Sequence, residues 1–237
     1  MVRAVEDLET SRSVKISGDT QVDQMRAAAI SGTENYTDEA PELLQRYESI
    51  SFADAHLHVM HLIPSAPCRI LDIGAGTGRD AAGLVALGHS VLAVEPTGEL
   101  RLGAMLLHPS PMIEWLDDSL PDLAAVRARK KEFDLVMLTA VWMHLDEAQR
   151  ELAMPNVSAL VRNGGIVIMS LRHGPIPPGR RMCEVSAEET IALAQRSDLF
   201  CTLNREAESS LRQPGVSWTR LAFQKDTEKR QRVINRT

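Results

Sequence analysis

An apolar run, Ile70-Leu71-Asp72-Ile73, passes without a break into Gly74-Ala75-Gly76-Thr77-Gly78, and a helical pattern starts at Arg79 or Asp80. A short apolar run bounded by glycines reads as a buried strand, so the loop lies at a strand's carboxyl end, where open doubly wound sheets bind their ligands. Glycines let the backbone turn sharply there and approach a ligand without interference from a Cβ. Taken alone, such a loop is equally compatible with a purely structural turn. Its spacing is more selective. A dinucleotide fingerprint requires Gly or Ala where this chain has Arg79, and a phosphate loop requires a following Gly-Lys-Ser or Gly-Lys-Thr, which is missing. What remains suits a nucleoside with an amino-acid arm and no phosphate.

Beyond Pro67 short apolar runs alternate with helical segments. The strand candidates are CRILDI, SVLAVE, MIEWL, FDLVML, GIVIMSL, LFCTL and SWTRLAFQ. This pattern predicts an α/β fold with a doubly wound, mostly parallel seven-stranded sheet. The last two strands follow one another without a helix of useful length, which predicts an antiparallel hairpin at one edge. Before the sheet, Leu43, Leu44, Tyr47, Ile50, Phe52, Ala55 and Val59 recur at mostly helical spacing up to Pro64, giving one or two helices. The predicted organisation is a loosely ordered arm over 1–35, a helical lid over 36–66, the ligand-binding domain over 67–225 and a charged tail over 226–237; the arm has a second reading as part of the lid.

The second strand ends at Glu95, about twenty residues past the first glycine, where a carboxylate can accept both hydroxyls of a ribose. The alternative is an ordinary helix-entry acid before Pro96. LDIGAGTGRD, VLAVEP and WLDDSLP together resemble the first three motifs of class I S-adenosylmethionine-dependent methyltransferases, and the resemblance runs from about Arg69 to Phe223. It implies a Rossmann-like methyltransferase fold, S-adenosylmethionine as cofactor and S-adenosylhomocysteine as product. It also implies that Asp72 helps hold the methionine moiety, that Glu95 holds the ribose, and that Asp117 or Asp118 accepts from the adenine amine, Asp118 being favoured. Gly74, Ala75, Gly76, Gly78, Pro96, Ser119 and Thr139 complete the implied cofactor set; Trp115 or Leu116 is a candidate for the adenine face, Trp115 being equally a core aromatic of the third strand. The chemistry agrees, because the cofactor's diol, exocyclic amine and ammonium are all donors and the acidic side chains are all acceptors.

Methyl transfer from a sulfonium is an in-line displacement that needs alignment and sometimes removal of a proton, so few obligatory catalytic residues are expected. After the fourth strand the chain reads Thr139-Ala140-Val141-Trp142-Met143-His144-Leu145. It lacks the Asn/Asp-Pro-Pro-aromatic motif of nucleobase-amine methyltransferases and resembles the short hydrophobic stretch of small-molecule members. His144 is either a catalytic base or a structural feature. Arg172 and His173, at the end of the fifth strand, are candidates to clamp an anionic group and to move a proton, or they stabilise the Pro/Gly-rich loop that leads to Arg180 and Arg181. Tyr36, Tyr47 and Trp142 join them as candidate acceptor contacts. His56, His58 and His61 lie in the predicted pre-sheet helix, where histidines facing the sheet are favoured over metal ligands; no metal site is predicted.

With 26 basic residues against 32 acidic and a net charge of −6, the chain lacks the positive field that sequence-independent binding to nucleic acid or an anionic membrane requires. The scattered Cys68, Cys183 and Cys201 argue against a zinc site or a disulfide framework, and with no apolar signal core at the start they predict a cytoplasmic protein. The reading that follows is methyl transfer to O or N of a small molecule, anionic if Arg172 is its clamp. The alternatives are a non-catalytic S-adenosylmethionine-binding partner or sensor, and a protein or RNA methyltransferase.

Overall fold

The computed structural model describes residues 32–209, 213–226 and 228. The expected arm therefore lies outside the described residues up to residue 31, as does nearly all of the expected tail. The described chain begins with α1 (Ala40–Glu48), α2 (Phe52–Ala55) and a 3-10 turn (Met60–Leu62). Then follow β1 (Arg69–Ile73), α3 (Arg79–Ala86), β2 (Ser90–Val94), α4 (Gly98–Leu107), β3 (Ile113–Leu116), α5 (Ala124–Ala128) and β4 (Phe133–Leu138). After a second 3-10 turn (Trp142–His144) come α6 (Glu147–Ala159), β5 (Val161–His173), α7 (Ala187–Arg196), β6 (Leu199–Glu208) and β7 (Ser217–Lys225).

The seven strands form one sheet in the order β3-β2-β1-β4-β5-β7-β6. β1 to β5 run parallel and β7 runs antiparallel to both of its neighbours, which is the expected edge hairpin. The order reverses between β1 and β4, opening a crevice at their carboxyl ends. The strands are apolar on consecutive positions because both faces are covered. Leu71, Leu92, Val136, Val167 and Phe223 pack with Met154, Val157 and Leu193 of α6 and α7. Ile70, Val91, Leu135, Ile168 and Ala222 pack on the other face with Ala81 and Leu84 of α3 and with Val59 and Ile63.

Local chemistry sets the helix starts. Asp146 and Gln149 form a reciprocal capping box at α6, and the Ser186 and Ser51 hydroxyls accept from the Glu189 and Asp54 N–H groups at α7 and α2. Two expectations need correction. The pre-sheet helix that was to carry three histidines breaks up, since α2 ends at Ala55, His56 is its C-cap and His61 sits in the 3-10 turn. β5 and β6 also extend beyond the predicted apolar runs, because β7 offers a ladder that pairs even their polar ends, down to His173↔Ser217 and Glu208↔Ser217. Among the described residues, no helix is long and apolar enough to cross a membrane, and no three His, Cys, Asp or Glu side chains are grouped to hold a metal ion.

Phe52 of α2 rests directly on α3, where a Cβ added to Gly83 would meet its Cγ at 2.2 Å. Gly83→Ala should therefore destabilise the protein by about 1–3 kcal/mol through overpacking, despite the helix propensity that alanine adds. In a Phe52→Ala background the same substitution should be neutral or stabilising. Urea unfolding of the four proteins checks this, and equal effects in both backgrounds would contradict it.

Candidate active site

One face of the sheet places polar side chains side by side at the strand ends. Asp72 pairs in register with Ala93 and Met137, Met137 with Ile168, and Ile168 with Ala222. Two residues further along each chain toward the crevice stand Glu95, Gly74, Thr139 and Ser170, and Arg220 pairs with Ser170 from β7. Asp72, Glu95, Gly74, Thr139 and Arg220 line a cavity of about 240 Å³. Tyr36, Tyr47, Ile50 and Ala55 close it from the N-terminal side.

The glycine loop is held by backbone and carboxylate together. Gly74 and Ala75 N–H both donate to the Val94 carbonyl, at 2.8 and 2.9 Å. Glu95 accepts from Gly76 N–H at 2.9 Å through one oxygen and from Thr97 N–H at 2.8 Å through the other. Burial raises the Glu95 pKa above the usual carboxylate range, against the lowering effect of those two bonds. Each oxygen keeps a second lone-pair direction for a hydroxyl from the cavity. Gly74 has φ +70, and a Cβ there would lie 2.4 Å from Val141 Cγ2, so the loop can pass under Val141 only as glycine.

Asp72 is 1% exposed, and its Oδ2 has no hydrogen-bond partner among the described residues. Burial, then the nearby Asp80 charge, raise its pKa well above the ordinary value. Asp80 is held low despite its own burial, because His56 Nε2 at 2.7 Å and Arg79 at 2.8 Å pair with it. Two adjacent buried carboxylates thus differ in compensation: protein partners satisfy Asp80, while Asp72 faces the cavity with an oxygen to spare.

On the other side of the cavity the His144 tautomer follows from its neighbours. Nδ1 lies 2.9 Å from the Arg181 carbonyl, which can only accept, so Nδ1 carries the proton. Nε2 then accepts from the Tyr36 hydroxyl at 3.2 Å. Burial lowers the His144 pKa, and burial beside Tyr47 raises that of Tyr36. Arg180 stacks on the Tyr36 ring, 3.9 Å from its centroid, and donates to the Glu34 carbonyl at 3.0 Å. Asn35 Nδ2 donates to the Gly179 carbonyl at 2.8 Å. These bonds tie the first described residues to the Pro/Gly-rich loop.

The structure sorts the residues predicted from sequence. Asp72, Gly74, Ala75, Gly76, Glu95, Pro96, Asp118, Ser119, Thr139, Tyr36, Tyr47 and His144 all line the cavity. Asp118 accepts from the Ser119 and Val126 N–H groups, both at 2.9 Å. Asp117 instead turns outward to an ion pair with Arg101 at 2.9 Å. Gly78 is not a lining residue; it sits with φ +84 against Trp115, which therefore backs the loop and not the cavity. Leu116 packs into the core beneath. Trp142 is fully buried, an interior residue and not an acceptor contact. Arg172 and His173 also lie outside the cavity lining, and His173 Nε2 is 2.8 Å from the Thr219 hydroxyl, because β5 continues pairing with β7 to its end.

Sequence reasoning missed Thr97, Trp218 and Arg220. Thr97 follows Glu95 too closely to have stood out. Arg220 left a usable signal, a charged residue inside the apolar run SWTRLAFQ, where a buried strand has no reason to hold one.

Residues 71–169 match the family model described as a methyltransferase domain. Over 111 residues the chain is 32% identical to an uncharacterized methyltransferase of Mycobacterium tuberculosis, covering 44% of this chain and 40% of the relative. The chain thus spans less than half the length of that relative. Among solved structures it superposes on a TehB-like SAM-dependent methyltransferase from Corynebacterium glutamicum with a TM-score of 0.60 and 23% identity, covering 80% of this chain and 99% of that one. A second is the 1,6-didemethyltoxoflavin-N1-methyltransferase of Burkholderia thailandensis, solved with 1,6-didemethyltoxoflavin and S-adenosylhomocysteine, with a TM-score of 0.64, 17% identity and coverage of 81% and 86%. The fold is that of class I S-adenosylmethionine-dependent methyltransferases. In this chain the likeness to a methyltransferase domain falls on residues 71–169.

The residues present fit that cofactor. The spare Asp72 oxygen suits an ammonium and Glu95 suits a diol. Because the Asp72 pKa is raised in the ligand-free protein, affinity for S-adenosylhomocysteine should fall as the pH is lowered through that raised pKa, where a bound ammonium has to displace a proton. Asp72→Asn should weaken binding and flatten that dependence. Calorimetric titration at several pH values checks this; affinity that is constant or higher in acid would contradict it.

Proposed function

We propose that this chain transfers the methyl group of S-adenosylmethionine to an oxygen or nitrogen of a small molecule, leaving S-adenosylhomocysteine. The observation that carries the reading is Asp72, a buried carboxylate with an unpartnered oxygen beside the glycine turn of the matched domain. Bound there, the cofactor supplies an electrophilic methyl group on a sulfonium. Asp72 orients the amino-acid arm, Glu95 the ribose, and Asp118 and Ser119 flank the base. Residues 36–66 serve as a helical lid and 67–225 as the catalytic domain. Support for a small acceptor comes from the cavity's volume of about 240 Å³, from the net charge of −6 and from the Burkholderia enzyme's small bound acceptor. The three free thiols suit a cytoplasmic setting.

His144 and Tyr36 are the residues placed to take a proton from the acceptor. An acceptor N–H or O–H donates to the Tyr36 oxygen while the Tyr36 proton moves to His144 Nε2, and the imidazolium so formed keeps its Nδ1–H bond to the Arg181 carbonyl. Since the His144 pKa is lowered, its base form persists below its ordinary value.

Titration calorimetry with S-adenosylhomocysteine tests binding, and label from the cofactor methyl appearing in components of a metabolite extract tests transfer. Glu95→Ala should abolish both, while an unbound cofactor in the wild type would overturn the reading. With an acceptor in hand, His144→Ala should lower kcat by about 10²-fold or more and Tyr36→Phe by a comparable factor, with little change in cofactor affinity. The acid limb of kcat/KM should lie below about pH 6.5. Unchanged kcat in both variants would remove the proton route.

A further inference from the structure

We propose that Glu48, at the end of α1, is a positioning residue that couples the glycine loop to the helical cover of the cavity, so that a ligand held on the loop also fixes the helix that carries Tyr47. This rests on the methyltransferase reading of the cavity and adds how its cofactor side is linked to its cover.

Glu48 is the last residue of α1. A carboxylate there opposes the helix dipole, whose C-terminal end favours cations, so local helix chemistry does not account for it. Its contacts do. Glu48 Oε1 accepts from the Thr77 hydroxyl at 2.5 Å, and His108 Nε2, just past α4, stands 3.2 Å from the same oxygen. Thr77 is 3% exposed and sits between Gly76 and Gly78, both at positive φ. The other bonds of the turn come from the end of β2 or from the turn itself. The Val94 carbonyl takes the Gly74 and Ala75 N–H groups, Glu95 takes that of Gly76, and Gly78 N–H closes on the Ala75 carbonyl. Among the described residues, the Thr77 bond to Glu48 is thus the one that ties the turn to the cover. Beside it, the Tyr47 carbonyl accepts from Arg79 Nη1 at 3.2 Å. The end of α1 is therefore held at two adjacent residues, by Thr77 and by Arg79.

The two ends of this tie serve different parts of the cavity. Gly74, Gly76 and Thr77 line it at the turn, and Tyr47 and Ile50 line it from the cover. Glu48 itself does not line the cavity, so it acts on a ligand only through Thr77. Elsewhere α1 rests on α4, where a Cβ added to Gly103 would lie 2.4 Å from Leu44 Cδ1. That apolar contact holds the helix in place but carries nothing to the loop. A ligand bonded to the glycine turn restricts Thr77 and, through Glu48, the end of α1. Coupling of this kind is reciprocal, so a fixed α1 also raises affinity at the turn. The cover over the acceptor side then firms up as the cofactor binds.

The probe is S-adenosylhomocysteine, followed by calorimetric titration and by hydrogen exchange of the amides over 40–48. In the wild type, binding should slow exchange of these amides about tenfold or more. Glu48→Ala and Thr77→Val should each weaken S-adenosylhomocysteine about five- to tenfold and remove most of that slowing. The double variant should bind no more weakly than either single one, because both substitutions break the same bond. Glu48→Gln, whose amide oxygen still accepts from Thr77, should stay within about threefold of the wild type. A purely structural Glu48 would lower thermal stability and leave the ligand-induced slowing intact. Wild-type affinity in Glu48→Ala, additive losses in the double variant, or slowing that persists in either single variant overturns the coupling. Equal exchange of the wild-type 40–48 amides with and without bound ligand overturns it as well. If Glu48→Ala does not fold, Thr77→Val and the wild-type exchange still decide. Failure of S-adenosylhomocysteine to bind the wild type is a different result, which overturns the methyltransferase reading and this coupling with it.

Discussion

The Glu95 carboxylate is bonded to Gly76 N–H on one side and Thr97 N–H on the other, and this pair of bonds joins the loop after β1 to the loop after β2. Without it, the positive-φ glycine turn would be held by the Val94 carbonyl and by its own bond from Gly78 N–H to the Ala75 carbonyl. The position of α3 follows from that turn, since Gly78 is its left-handed N-cap. The packing of α2 on α3 follows in turn, through Gly83 and Phe52. A single buried acid thereby fixes the frame of the cavity and also presents lone pairs to it.

Around that frame, charge is distributed unevenly in a way that packing alone does not require. Asp80 receives two protein partners and Asp72 keeps an oxygen without any; Arg79 receives a carboxylate and Arg220 does not. Asp72 and Arg220 line one cavity on one face of one sheet. Both signs are represented, the negative end toward β1 and β2 and the positive end toward β7.

Much of the frame was legible from sequence because it depends on local chemistry. The glycine loop, Glu95 and the alternation of apolar runs with helical segments report backbone geometry and two-sided burial directly. The acceptor half was less legible for a physical reason. Arg172 and His173 look functional at the end of an apolar strand, but β7 pairs past them and draws His173 to Thr219. Trp142 sits in a segment that does border the cavity, but its side chain turns into the core. Arg220 was overlooked in an edge hairpin, a place where charges are ordinarily solvated. Each of these depends on which strand lies next to which, information that spacing along one chain does not carry.

The central claim is that the carboxylates at the ends of β1 and β2 hold a nucleoside with an amino-acid arm. A crystal structure of the protein with S-adenosylhomocysteine tests it most directly. The account predicts the ligand's ammonium within hydrogen-bond distance of Asp72 Oδ2 and its ribose hydroxyls on Glu95. A bound ligand that leaves Asp72 Oδ2 without a donor, or that lies outside the crevice between β1 and β4, would contradict it.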